Sequence, residues 1–248
     1  MISPSLKSYL GAVKMTAAPA LLPTPVWLFF AVKEEAQVFL KSLPALGWKR
    51  QQVREGRGIL FSRGEASLRI FISGMGSRCA RAAWEDALKD SRGGKPGCVL
   101  TCGFAGALDP ALQVGDILCR RNSLFPALGF PEGDFFCSEQ VILRAAEKER
   151  LYRESGCRAV EMESGILHEL CRQEGIACAT LRAISDSAHE DLPLDFGALT
   201  KANGKISIPA LASELLFHPG KIPALIRLGE NTRLAARNLS ASLSSLFA

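Results

Sequence analysis

A helix running straight into an apolar strand, with an acid at the strand's far end, constrains this chain more than any other feature. Ile166, Leu167, Leu170 and Cys171 recur at helical spacing until Gly175, a residue type that commonly ends helices. Residues 176–184 follow and are apolar except for Thr180 and Arg182. The run reads as a buried strand of an α/β unit. Ser185 and Asp186 lie at its carboxyl end, on the rim where open α/β sheets bind ligands. A second acidic cluster, Ala159-Val160-Glu161-Met162-Glu163-Ser164, opens that helix. Two acidic clusters thus mark the ends of successive elements in one α/β unit, and a carboxyl group held there can be kept protonated and used as an acid.

The rest of the chain extends the pattern. Residues 26–32 read as a core strand and 33–43 as a helix stopped by Pro44 and Gly47. Residues 58–63 and 67–73 form a hairpin, and Ser73-Gly74-Met75-Gly76 turns into an Ala-rich helix. A short strand at 98–102 leads to a tight turn over Gly103-Phe104-Ala105-Gly106, with another strand at 114–120. Residues 122–134 read as loop, 135–143 as a strand and 145–155 as a charged helix. No repeat or linker interrupts 25–215, so the expectation is one domain. Residues 1–24 are expected to be a disordered extension, with Met15 an alternative start. Residues 216–248 are expected to hold a basic amphipathic helix, docked on the domain or at a subunit interface, with peripheral membrane contact the other reading.

Composition narrows the class. With 48% hydrophobic and 22% charged residues the chain is not a disordered one. The net charge of +5 is mild, and no Lys/Arg run alternates with aromatics, so nucleic acid is not an expected partner. None of the 8 cysteines forms a Cys-x-x-Cys pair and there are only 3 histidines, so neither a metal nor another cofactor is expected. Reduced thiols used as small core residues fit a cytoplasmic protein.

Four motifs occur in order: Phe30-Ala31-Val32-Lys33-Glu34-Glu35; Ser73-Gly74-Met75-Gly76; Gly103-Phe104-Ala105-Gly106 with Val114-Gly115-Asp116; and the acidic pair. In this order the chain resembles the purine nucleoside phosphorylase superfamily, and within it the methylthioadenosine/S-adenosylhomocysteine nucleosidases. The short segment between Asp116 and Glu161, the Ala145-Ala146-Glu147-Lys148 stretch and the basic tail also resemble the hopanoid-associated phosphorylases. The resemblance implies a three-layer α/β/α sandwich with a central mixed sheet, and a homo-oligomer, taken as a dimer.

It also implies roles. Breaking an N-glycosidic bond builds positive charge on the ribosyl ring and negative charge on the departing purine, so the site needs an acid, a sugar-holding carboxylate and a nucleophile. The resemblance gives Asp186 the first role with Ser185 orienting it, Glu163 and Met162 the ribose, and Glu35 the activation of water. Glu161, Arg182, Phe104, Ala105 and Gly106 are implied to form the surrounding site. Ile142 stands where the nucleosidases carry a stacking aromatic. Ser73, Gly74 and Arg78 are the candidate contacts for inorganic phosphate. Hydrolysis of a 5′-substituted adenosine to adenine is the leading expectation. Phosphorolysis, including that of adenosylhopane, and non-catalytic nucleoside binding are the alternatives.

Overall fold

The structure, a computed structural model, describes residues 22–52, 58–91, 94–194 and 219–248. Residues 1–21 of the expected extension, and residues 195–218, lie outside the described residues. Leu22 is buried in the core, and the Cys98 thiol donates to the Pro23 carbonyl at 3.3 Å.

In chain order the elements are β1 (Val26–Phe30), α1 (Lys33–Ser42), a 3-10 turn (Leu43–Leu46), β2 (Lys49–Gln51), β3 (Ile59–Arg63), β4 (Ala66–Ile72) and α2 (Ser77–Asp90). Then come β5 (Cys98–Ala107), β6 (Ile117–Arg121), β7 (Phe135–Cys137), α3 (Ala145–Ser155), β8 (Ala159–Glu161), α4 (Ser164–Gln173), β9 (Ala177–Asp186) and α5 (Ile222–Phe247).

The sheet runs β2-β3-β4-β1-β5 and then divides. Strand β9 lies parallel along the whole of β5 and carries antiparallel β6 on its far edge. Strand β8 pairs only with Gly106 and Ala107 at the end of β5, and carries parallel β7. The division opens the sheet on one side of the carboxyl end of β5, and the site occupies that opening.

Period two in the strands sorts the core into layers. Val26, Leu28 and Phe30 point to the side of Phe39 on α1 and of Leu239 and Leu243 on α5. Trp27 and Phe29 point the other way, to Trp84 on α2 and to Leu167 and Leu170 on α4. The expected α/β/α sandwich is therefore the observed one.

Several local expectations are corrected. Residues 103–106 are not a tight turn: β5 continues to Ala107, with an irregular register between Ala105 and Gly106. The strand expected over 114–120 begins only at Ile117, and that expected over 135–143 is reduced to Phe135–Cys137. Strand β8 occupies residues that sequence reasoning gave to the start of a helix. The apolar face assigned to the tail is split. Leu239 and Leu243 are buried, whereas Ile222, Ile226 and Leu234 are exposed. Among the described residues no helix is long and apolar enough to cross a membrane.

Candidate active site

A cavity of about 300 Å³ opens where the ends of β1, β5, β8 and β9 face the loop after β7 and the first half of α5. Glu35, Glu163 and Asp186 line it, as do Glu161, Met162, Ser185, Phe104, Ala105, Gly106 and Ile142. Of the residues expected to surround a substrate, Arg182 alone stands back from the wall, with only 1% of its surface exposed.

Glu35 sits in the first turn of α1, where a carboxylate suits the helix dipole. Its Oε2 accepts from the amides of Ala31 at 2.9 Å and Val32 at 3.1 Å, and its Oε1 from that of Phe104 at 2.9 Å. Burial raises its pKa, opposed by Arg182 and the three amides. A carboxylate shifted upward is better matched to taking a proton near neutral pH. Gly103 makes this placement possible, because a Cβ there would lie 2.5 Å from Glu35 Oε1 and 2.7 Å from Arg182 Nη1.

The two glutamates of the acidic motif have different surroundings. Glu161 is saturated by the protein. Its Oε2 accepts from Ser164 N at 2.8 Å, Glu163 N at 3.1 Å and Arg182 Nη2 at 2.5 Å. Its Oε1 accepts from the hydroxyl of Ser164 at 2.8 Å and the thiol of Cys137 at 2.5 Å. Burial works to raise its pKa, but Arg182, Cys137 and Ser164 outweigh it and hold Glu161 down at about 2. Its side chain thus anchors Arg182 and the start of α4.

Glu163 has capacity left. Oε1 accepts from Gly76 N at 2.7 Å, and Oε2 is a distant 3.5 Å from Arg182. Burial pushes it up to about 7, with Arg182 opposing and the charges of Glu161 and Glu35 adding to the shift.

Asp186 is held at both oxygens. The Ser185 hydroxyl donates to Oδ1 at 2.7 Å, and the ammonium of Lys148 donates to Oδ2 at 2.5 Å. Sequence reasoning missed Lys148, a residue with no exposed surface. The acid expected at the rim with Ser185 as its partner is also held in an ion pair. A signal existed, since Lys148 lies three residues before Leu151 and so shares the buried stripe of α3. Gly106 leaves room for the acid, because a Cβ there would lie 2.9 Å from Asp186 Oδ2.

The candidate phosphate contacts are not in the cavity wall. Ser73 directs its hydroxyl to the carbonyls of Phe30 and Gly74, and Arg78 is exposed in the first turn of α2. The Ser-Gly-Met-Gly turn instead serves Glu163: Gly76, at φ 87°, presents its amide to that carboxylate. Among the described residues the wall contains no Lys or Arg. It does contain Val32, Met75, Leu192, Leu228 and Thr232, which sequence reasoning did not foresee. Leu228 and Thr232 belong to α5, so the tail helix closes one side of the cavity.

Residues 129–216 match the family model described as phosphorylase superfamily. The chain is 33% identical over 82 residues to the aminodeoxyfutalosine nucleosidase of Helicobacter pylori, a match covering 33% of this chain and 36% of that protein. The chain thus matches about a third of the length of its curated relatives, as the 36% figure shows. The structure of futalosine hydrolase from the same organism superposes with a TM-score of 0.62 at 18% identity, covering 89% of this chain and 96% of the other. The methylthioadenosine/S-adenosylhomocysteine nucleosidase of Helicobacter pylori gives 0.64 at 17% identity, over 92% and 98% of the two chains. At such identities the likeness establishes the fold, that of the nucleoside phosphorylase-like proteins. The family model matches about a third of the chain, and the fold it shares with these solved structures extends over nearly all of it.

Proposed function

We propose that this protein is an enzyme that cleaves the N-glycosidic bond of a purine nucleoside by hydrolysis, releasing the base. The observation that carries the proposal is the convergence of Glu35, Glu163 and Asp186, from three separate elements, on one cavity of about 300 Å³. That volume lies in the range of small-molecule sites.

In this reading Asp186 delivers a proton to purine N7 as the bond to the sugar breaks, removing negative charge from the leaving base. Glu163 accepts hydrogen bonds from ribose hydroxyls through the capacity it retains, and Met162 packs beneath the ring. Glu35, oriented by three amides, takes a proton from the attacking water. The cation-free wall and the outward position of Arg78 favour water over phosphate as the nucleophile.

The substrate is read as an adenosine with an apolar 5′ group. Val32, Phe104 and Leu228 supply apolar surface beside the carboxylates, and Ile142 contributes at the base end without the stacking of a ring. A hopane-type 5′ group is the bulky extreme of this reading. Cytoplasmic location and a homodimer rest on the cysteine usage and on the family resemblance.

Purified protein is incubated with 5′-methylthioadenosine, with and without phosphate, and the products are separated. Free adenine with a free ribose product, independent of phosphate, is expected. A ribose 1-phosphate product would replace hydrolysis by phosphorolysis, and tight binding with no turnover would leave a binding protein.

A further inference from the structure

Lys148 is unlike every other lysine described. It has no exposed surface, it lies on a helix outside the four motifs, and all three of its donors are used. One goes to Asp186 Oδ2 at 2.5 Å, one to the Ser187 carbonyl at 2.8 Å and one to the Glu190 carbonyl at 3.1 Å. Burying an ammonium is costly unless a counter-charge and well-placed acceptors compensate it. Asp186 is that counter-charge. A lysine stretched from α3 to the end of β9 for packing alone would be a poor choice beside a leucine or methionine of similar volume.

We propose that Lys148 acts through Asp186, positioning the acid and supplying the proton that it passes to the leaving purine. This rests on the hydrolytic reading above. As the C1′–N9 bond breaks, its electron pair goes to the purine. The Lys148 Nζ–H bond breaks and its proton goes to the Asp186 carboxylate, which passes a proton to N7 and is a carboxylate again. Lysine ends as a neutral amine, still hydrogen-bonded to that carboxylate. Once the base has left, the proton that Glu35 took from the attacking water returns through water in the cavity to Asp186, which faces that space, and through it to Lys148. The two carbonyls that hold Nζ keep it within reach of Oδ2 throughout, and the Ser185 hydroxyl fixes the other oxygen.

The role is separated from a structural one by the leaving group. Turnover of 5′-methylthioadenosine, whose base needs a proton, is compared with that of 4-nitrophenyl β-D-ribofuranoside, whose nitrophenolate leaves as a stable anion. Lys148→Met is expected to lower kcat on the nucleoside by roughly 10²-fold or more, the scale of general acid catalysis. It is expected to leave the nitrophenyl riboside within about threefold, because that reaction calls on no acid. The double variant Lys148→Met/Asp186→Asn should be no slower on the nucleoside than Asp186→Asn alone, since residues acting as a unit do not add. Equal losses on both substrates, no loss on either, or multiplied effects in the double variant would overturn the proposal. Should the single variant not fold, the double variant, which removes both buried charges together, carries the test by the same criterion. Absence of turnover by the unsubstituted protein on both compounds would instead remove the hydrolytic reading itself.

Discussion

Gly76 donates its amide to Glu163 at 2.7 Å, joining the turn before α2 to the acidic motif 87 residues later. Gly76 therefore supports a carboxylate, and the Glu163 end of the cavity depends on the α2 side of the sheet. Gly76→Ala keeps the N–H but forces an L residue to φ 87°, in the left-handed region. That substitution is expected to raise KM for nucleoside several-fold through a displaced Glu163, read from steady-state kinetics.

Gly103 and Gly106 are predicted to resist substitution for steric reasons. Gly103→Ala sets a methyl 2.5 Å from Glu35 Oε1, and Gly106→Ala sets one 2.9 Å from Asp186 Oδ2. Each is expected to cost about 1–3 kcal/mol by overpacking and to lower kcat/KM by about 10²-fold, because the displaced group is a catalytic carboxylate. Denaturant unfolding and product assays measure the two effects; unchanged turnover in either variant would contradict the assigned geometry.

Arg182 is the only cation in contact with both glutamates of the acidic motif among the described ion pairs, and it also donates to Thr101 at 3.1 Å. Removing it leaves buried carboxylates without their counter-charge. Arg182→Met is expected to destabilise the fold by about 3–5 kcal/mol. A melting temperature equal to that of the unsubstituted protein would show that the cluster is not held by this residue.

The acidic cluster also sets a pH dependence of stability. Folded Glu163 keeps its proton up to about 7, whereas the unfolded chain gives it up near 4.5. Between those values the unfolded state binds fewer protons, so this group makes stability fall as pH rises. Glu35, raised as well, acts in the same direction. Glu161, held at about 2, contributes stability above 4.5 that is lost as pH falls toward 2. Urea midpoints between pH 5 and 7 should therefore fall less steeply in Glu163→Gln than in the unsubstituted protein, and identical slopes would count against the shift.

How much of this was legible beforehand depended on whether a residue's partner lay nearby in sequence. The unbroken apolar run ending at Asp186 was readable as a buried strand with its acid on the rim, because its length and the stop at Gly175 set it apart from the preceding helix. The Gly-Phe-Ala-Gly stretch was misread as a turn, since glycine's usual reason is conformational. Here the reason is room for Glu35, Arg182 and Asp186, which approach from distant elements. Lys148 was hidden among the charges of α3, where Glu149, Arg150, Arg153 and Glu154 are exposed and only the phase with Leu151 set it apart. The Met162 position between two glutamates also became intelligible only in three dimensions: Glu161 turns to Arg182 and α4, Glu163 to Gly76 and the cavity.

Arg78 supplies a negative control for the nucleophile. It is exposed and away from the cavity wall, so Arg78→Ala is expected to leave turnover unchanged with or without added phosphate. A phosphate-dependent loss in that variant would restore the phosphorolytic alternative.

The central claim is tested most directly by adenine release from 5′-methylthioadenosine, measured for the unsubstituted protein and for Asp186→Asn of matching thermal stability. The account predicts steady release by the first and a loss of at least about 10²-fold in the second, the contribution of a positioned acid. Equal rates from the two proteins would contradict it.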